Sequence, residues 1–245
     1  WRRVFRSRRK AELAARERAA LACTRGTVVT SAATARELVE NYSIANEDVV
    51  TALPGTDPVP RSTGSGDVPS ILSVGSLTRR KGHDVLIAAL ATLRDHSWTC
   101  RIVGSRDLDA DVADELEQLI QTLQLQDRVT LVGEVEDVQA EFAGTDIFAL
   151  ASRYEGYGKV FAEALAHGLP IVGCAAGAVP EVVPATAGIL VAPNSPEEFA
   201  AALRRLLDEP TTRKAMAVGA ARAGAALPSW RDTAAIIAQF LESKA

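Results

Sequence analysis

The stretch from Arg153 to Pro170 places two carboxylates, Glu155 and Glu163, eight positions apart around a glycine pair, Gly156 and Gly158. The apolar run Ile147-Phe148-Ala149-Leu150-Ala151 comes just before and has the make-up of a buried strand. The residues after the glycines are expected to be helical, with Glu163 about two turns into that helix. A strand, a glycine turn and a helix start leave backbone N–H groups free and aim the helix dipole at one spot, which suits a phosphate. Carboxylates repel phosphates, so Glu155 and Glu163 are better suited to accepting hydrogen bonds from neutral hydroxyls. A ligand with an anionic middle and hydroxyl-rich ends satisfies both demands, and a nucleotide-sugar has that form. Taken alone, two such glutamates describe a solvated helix face and two glycines describe a turn. The preceding strand and the Gly168-Leu169-Pro170 entry into the next one favour a site.

A second cluster follows an earlier apolar run. Gly75-Ser76-Leu77-Thr78-Arg79-Arg80-Lys81-Gly82 combines small residues, three successive cations and a helix start, a combination suited to a diphosphate. It lacks the Gly-Lys-Ser/Thr of a nucleoside-triphosphatase loop and the glycine spacing of the dinucleotide fingerprint. By itself it would read as a solvated basic turn. His83, His96 and His167, like Cys23, Cys100 and Cys174, show no metal-ligand spacing. The histidines therefore read as structural, and no metal is expected.

The fold must bring these clusters together. Apolar runs occur at 71–74, 101–103, 129–132, 147–150, 171–173 and 188–191, with helical patterns between most of them, as over 84–93 and 109–123. Continuous apolar strands alternating with helices predict an α/β fold, a doubly wound parallel sheet covered on both faces. Ligands of such sheets bind beyond the carboxyl ends of the strands, where both clusters lie. Upstream, the charged, alanine-rich start favours helix to about Leu21, 27–30 and 49–52 read as short strands, and Ser31 reads as the cap of a helix through Glu40. The stretch 54–66 is a linker by composition. Downstream, Ser195-Pro196-Glu197-Glu198 reads as a capping box opening a helix to about Leu207, and further helices follow Pro210 and Ser229.

At 245 residues the chain can bury a sizeable core, and 47% hydrophobic against 24% charged residues describes an ordinary soluble globular protein. It holds no apolar run of the ~18 residues that a membrane span requires. The chain begins at Trp1 and its one methionine is Met216, so it is expected to be a fragment, a processed chain or a trimmed one. The net charge of -4 hides an asymmetry: Arg2, Arg3, Arg6, Arg8, Arg9 and Lys10 crowd the start, and removing those six from 27 leaves 21 basic against 31 acidic groups. So acidic a body excludes nucleic acid as a partner. The basic start reads as a solvated helix face, with peripheral membrane contact as the alternative. Three scattered cysteines indicate buried free thiols in a reducing compartment, which places the chain in the cytoplasm.

Four segments occur in a telling order: Val74 to Gly82, Val132-Gly133-Glu134-Val135, Glu155-Gly156-Tyr157-Gly158 with Glu163, and Gly177-Ala178-Val179-Pro180-Glu181. Together they resemble the C-terminal, donor-binding half of a retaining glycosyltransferase of the GT-B fold, from the large family four. The resemblance covers the chain from about residue 27 to its end. It implies a hexosyltransferase-type enzyme that moves a sugar from a nucleotide donor, UDP- or GDP-linked, to a sugar, lipid or small-molecule acceptor. Anomeric configuration would be retained and no metal bound. Lys81 is then expected to contact the donor diphosphate, Glu163 to accept from the ribose hydroxyls, and Glu155 to hold hydroxyls of the transferred sugar. The backbone of Gly156, Tyr157, Gly158, Lys159 and Val160 would cradle sugar and phosphate, and Val135 would meet the base. Gly75, Ser76 and Arg80 complete the donor set, with Lys81 and Glu155 as the catalytic pair.

The resemblance also implies a domain plan. Residues 1–53 would be the remnant of an acceptor-side domain, 54–68 a linker, 69–228 the Rossmann-like donor domain, and 229–245 a C-terminal helix. On that plan the chain alone binds a donor but transfers no sugar. One departure concerns Ser76, which stands where the family usually carries arginine, with Arg79 and Arg80 as neighbouring substitutes. The larger departure is that most of the acceptor-side domain is absent. Two other functions share the fold: a nucleotide-sugar epimerase, against which the Glu155–Glu163 turn argues, and a non-catalytic nucleotide-sugar binding module or partner half.

Overall fold

A computed structural model describes residues 2–244, with side chains from residue 12 onward. The basic side chains from Arg2 to Lys10 lie outside the described residues. Helix α1 (Arg2–Leu21) leads into a small parallel pair, β1 (Thr27–Val29) and β2 (Val49–Thr51), joined through α2 (Ala32–Tyr42). Ser31 caps α2 as its position suggested, its hydroxyl accepting from the Thr34 amide.

Six further strands form one parallel sheet: β3 (Ser70–Val74), β4 (Thr99–Val103), β5 (Val129–Gly133), β6 (Ile147–Leu150), β7 (Ile171–Cys174) and β8 (Gly188–Val191). Each of the six expected apolar runs is one of these strands. Between them run α3 (His83–Ala91), α4 (Ala110–Thr122), α5 (Val138–Ala143), α6 (Lys159–Ala166) and α7 (Val179–Val182); α8 (Pro196–Asp208), α9 (Pro210–Ala225) and α10 (Trp230–Ser243) follow β8. The order across the sheet is β5-β4-β3-β6-β7-β8, so the winding reverses between β3 and β6. A crevice opens at such a reversal, and the two segments rich in chemistry leave from these two strands.

Alternate side chains of each strand reach opposite faces. Ile71, Ile147, Ala149 and Val172 join α3, α4 and α8 in one buried cluster. Leu72, Phe148, Leu150 and Ile171 join α5, α6, α7 and α9 in the other. Burial on both faces is the reason these strands are apolar throughout rather than alternating.

Two short helices escaped the sequence pattern. With six residues in α5 and four in α7, neither is long enough to show a helical period. The capping box expected at Ser195 is only half made. The Ser195 hydroxyl accepts from the Glu198 amide at 3.4 Å, but the Glu198 carboxylate accepts from Ala192 N–H at 3.2 Å, pinning the loop after β8 instead. A reciprocal box forms at Ser229 and Asp232, at the start of α10.

Helix α10 crosses back to the β1–β2 pair. The Thr233 hydroxyl donates to the Leu53 carbonyl at 2.7 Å, and Lys244 Nζ lies 2.5 Å from an Asp48 carboxylate oxygen. The Phe240 ring sits so close to Gly26 that a Cβ there would come within 2.6 Å of it. Among the described residues no helix is long and apolar enough to cross a membrane.

Candidate functional site

Beyond β3 the chain turns through Gly75 and Ser76 and makes one 3-10 turn, Arg79–Lys81, before α3. Gly82 joins the two at φ 69°, and a Cβ there would lie 1.9 Å from the Ala151 carbonyl oxygen. Glycine is required on both counts, and the close approach presses the β3 turn against the end of β6. His83 is buried at the start of α3. A carbonyl can only accept, so Nε2 donates to the Gly75 carbonyl at 3.1 Å and Nδ1 accepts from the Ser73 hydroxyl at 3.4 Å. Burial pushes its pKa down to about 4, so the ring is neutral at pH 7 and shapes the turn as a structural group. The stem of Lys81 lies across Gly75, where a Cβ would approach its Cδ to 3.0 Å.

Glu155 leaves β6 into a buried turn and is only 6% exposed. One carboxylate oxygen lies 2.8 Å from Lys81 Nζ and the other 3.3 Å from Arg80 Nη1. Arg79 turns the other way, to Glu115 on α4 at 2.7 Å. Of the two arginines near Ser76, Arg80 is therefore the one that joins Lys81. The loop after β7 holds the Glu155 backbone: Ala178 N–H donates to its carbonyl at 2.9 Å, and a Cβ on Gly177 (φ 58°) would come within 2.2 Å of that oxygen.

Gly158, at φ 86°, opens α6 with no side-chain cap, which leaves first-turn N–H groups available to an anion. Phe161 anchors this helix, fully buried and edge-on to Phe148 with ring centroids 5.5 Å apart. Removing such a ring costs about 3–5 kcal/mol. Glu163 is the fifth residue of α6, little more than one turn from its start rather than two, because Glu155 to Gly158 form the turn and only Lys159 begins the helix. It pairs with Lys159 at 3.3 Å. With Thr56, Val59 and Gln139 these two residues line a cavity of about 200 Å³.

The glutamates thus have different surroundings: Glu155 meets the cations of the β3 turn, and Glu163 its own cavity. A Cβ on Gly156 would meet nothing within 4 Å, so the turn is open on that side. Val135 and Val160 pack against the α6-side core. Tyr157 is buried there, its hydroxyl without a partner among the described residues and its pKa raised by that burial. Arg80 and Lys81 meet Glu155 at the sheet reversal, and the start of α6 lies beside Glu155, where a Cβ on Gly158 would come within 3.6 Å of the Glu155 Cβ.

Several supporting residues carried no sequence signal of their own. Arg153 forks onto Asp84 at 2.7 and 3.0 Å and reaches Asn194 at 2.6 Å. Glu181 accepts from Ala32 N–H at 2.9 Å and from Arg36 at 3.0 Å, joining α7 to the start of α2. The Thr34 hydroxyl donates to the Gly156 carbonyl at 3.4 Å, and the Tyr154 hydroxyl to Glu37 at 3.2 Å. These partners lie far apart in sequence, and only Gly156 and Glu181 belonged to a recognisable motif. Among the described residues no group of three or more His, Cys, Asp or Glu is placed to hold a metal ion.

Comparison with known proteins gives the family and the fold. The profile of the glycosyl transferases group 1 family matches residues 59–222, more than half the chain. A D-inositol 3-phosphate glycosyltransferase of Kineococcus radiotolerans is 31% identical over 217 residues, covering 76% of this chain and 50% of that protein. A GDP-mannose-dependent alpha-(1-6)-phosphatidylinositol monomannoside mannosyltransferase of Mycobacterium tuberculosis is 33% identical over 191 residues, covering 72% and 48%. The chain spans about half the length of these relatives. Among solved structures, sucrose-phosphate synthase from Thermosynechococcus elongatus superimposes with a TM-score of 0.83 at 28% identity, over 93% of this chain and 60% of that one. An Anabaena protein solved with UDP and glucose shares the fold, with a TM-score of 0.81 at 23% identity over 89% of this chain and 63% of that one. With its parallel sheet, its switch-point site and this match, the chain belongs to the glycosyl transferases group 1 family, as a C-terminal domain of the GT-B type.

Proposed function

We propose that this chain supplies the donor site of a glycosyltransferase that moves a sugar from a nucleoside-diphosphate sugar to an acceptor, with retention at the anomeric carbon and without a metal. The observation that carries this reading is the convergence of Arg80, Lys81 and the uncapped start of α6 beside the buried Glu155. Relatives that act from GDP-mannose, and fold neighbours solved with UDP-glucose, support a nucleotide-sugar donor. In the reaction the bond from the anomeric carbon to the diphosphate oxygen breaks, and negative charge grows on the departing diphosphate. Lys81, Arg80 and the α6 dipole are preorganised to stabilise that charge, and the cations take the place a divalent ion would otherwise fill.

The two glutamates would divide the ligand's hydroxyls. Glu163 takes the ribose, and Glu155 takes the transferred sugar. Because Glu155 sits on both cations, it competes with the diphosphate for them; the three N–H donors of Lys81 allow it to serve both. The backbone from Gly156 to Val160 lines the open side of the turn and cradles sugar and phosphate, with Gly75 and Ser76 facing it and Val135 at the base.

Calorimetric titration with UDP, GDP and their sugar conjugates tests the reading. The wild-type protein is expected to bind a nucleoside diphosphate, and to do so equally in EDTA. Glu163→Ala is expected to weaken the bare diphosphate and the conjugate alike. Glu155→Gln leaves the bare diphosphate bound at least as well and weakens only the conjugate. Lys81→Ala weakens both and, wherever transfer is measurable, slows it by about 10²–10³-fold. Surface glutamates would instead give changes within about 0.5 kcal/mol. No binding by folded wild-type protein, or equal losses for both ligands in Glu155→Gln, would sink the assignment.

A further inference from the structure

Arg153 stands two residues before Glu155 and is the hub of the loops around the site. Its guanidinium takes both oxygens of Asp84, Nη1 at 3.0 Å and Nη2 at 2.7 Å, and its Nε donates to Asn194 Oδ1 at 2.6 Å. Nη1 also donates to the Arg79 carbonyl, and the Arg153 backbone N–H donates to the Arg80 carbonyl at 2.8 Å. In return Arg80 Nη1 donates to the Tyr154 carbonyl at 3.0 Å. Four segments meet in this cluster: the 3-10 turn, the start of α3, the loop after β6 and the loop after β8. The last is itself constrained, with Asn194 in left-handed backbone at φ 60°.

Stability does not account for so many bonds on one side chain. The Arg153 and Asp84 side chains are 29% and 50% exposed, and ion pairs that open to water contribute little. What a guanidinium fork supplies is geometry: five donors in one rigid plane, which a lysine cannot imitate. Burial would raise the Asp84 pKa, but the Arg153 guanidinium outweighs it and holds the carboxyl below its usual range, so the clamp stays charged at neutral pH. Lys81 is joined covalently to Arg80. Its place relative to Glu155 is therefore set by what Arg153 does to residues 79, 80 and 84 on one side, and by the chain from 153 to 155 on the other.

We propose that Arg153 is a positioning residue, one that holds the turn bearing Arg80 and Lys81 in register with Glu155 without itself touching the donor. The inference rests on the donor reading for its consequence in binding, but the geometry can be tested without any ligand.

Lysine acylation of the protein, read peptide by peptide by mass spectrometry, is the first measurement. Lys81 is 13% exposed and paired with Glu155, so it reacts slowly in the wild type. Arg153→Gln is expected to raise its rate several-fold while the exposed Lys214 is unchanged. Arg153→Lys is expected to do the same, because one ammonium cannot span Asp84, Asn194 and Arg79. The second measurement is the Kd for UDP and GDP. Arg153→Gln is expected to weaken it about tenfold, as misplacement of a binding group does, and to add almost nothing in a Lys81→Ala background. A merely structural residue would lower the melting temperature and weaken binding equally in both backgrounds. Asp84→Asn breaks the same clamp at its exposed end and carries the test if Arg153→Gln fails to fold. Unchanged Lys81 reactivity overturns the proposal whether or not nucleotide binds, and so does an equal loss of affinity with and without Lys81. A wild type that binds no nucleotide overturns the donor reading alone, since the acylation result stands apart from it.

Discussion

Glu155 and His83 show how burial assigns opposite tasks to titratable side chains in one crevice. Glu155 stays buried because two cations meet its two oxygens; taking both away would leave an uncompensated buried charge. His83 has no ion-pair partner, and its burial holds it neutral, with a pKa near 4 against an ordinary 6.5, although its bond to the Gly75 carbonyl pulls the other way. Between those two values the unfolded chain binds a proton that the folded chain does not. Stability therefore rises with pH through that window: the loss is greatest near pH 4 and is gone above about pH 6.5. The effect is on the order of 3 kcal/mol at most. Urea unfolding of His83→Asn should show a flatter slope of stability against pH between 6.5 and 4 than the wild type. An unchanged slope would mean that His83 does not carry the dependence.

At the scale of elements, the site is made by turns that hold strand ends close together. Gly82 and Gly156 look alike in sequence and differ in what surrounds them. A side chain at Gly82 would meet the Ala151 carbonyl and sit at positive φ, whereas one at Gly156 would meet open space. Gly82→Ala is thus expected to destabilise the fold by about 3 kcal/mol or more, through backbone strain and displacement of β6. Gly156→Ala is expected to change stability by no more than about 1 kcal/mol while weakening binding of the sugar conjugate. Thermal unfolding and calorimetry on the two variants separate these outcomes. Equal destabilisation would show that the turn after Glu155 is not open. The strands and long helices were legible because period and length announce them. Helices α5 and α7 were not, since each is held by its cap or its contacts rather than by an apolar stripe.

For the whole molecule, the decisive feature is how the β1–β2 pair is attached. Two short strands are marginal alone, and α10 supplies the packing through Thr233, Phe240 and Lys244. On the site side, Glu181, Thr34 and Glu37 join α2 to the loops after β6 and β7. Phe240→Ala is expected to speed amide hydrogen exchange across residues 27–51 while β3 to β8 remain protected. A uniform rise through both sheets would show instead that they unfold as one unit. The contacts of α2 with Gly156 and Glu181 also place this unit where its movement would reach the glycine turn directly.

The sequence by itself determined the strands, the long helices between them, the glycine turns and the cations, because each is written in residues close together. Ser31 as a cap, the parallel sheet and the two clusters at strand ends were all readable this way. Only the tertiary structure decided the pairing of Lys81 with Glu155, which lie 74 positions apart. That pairing exists because β3 and β6 are neighbours at the reversal of the sheet, and strand order leaves no local mark in the chain. It likewise decided between Arg79 and Arg80, whose side chains are chemically identical. One faces Glu115 on α4 and the other Glu155, and a single residue of turn geometry separates them. Arg153 reads as one more charge in a polar loop until four distant segments close around it. Local patterns follow from the backbone's few allowed conformations, whereas a site assembled from several loops follows from which strands lie side by side.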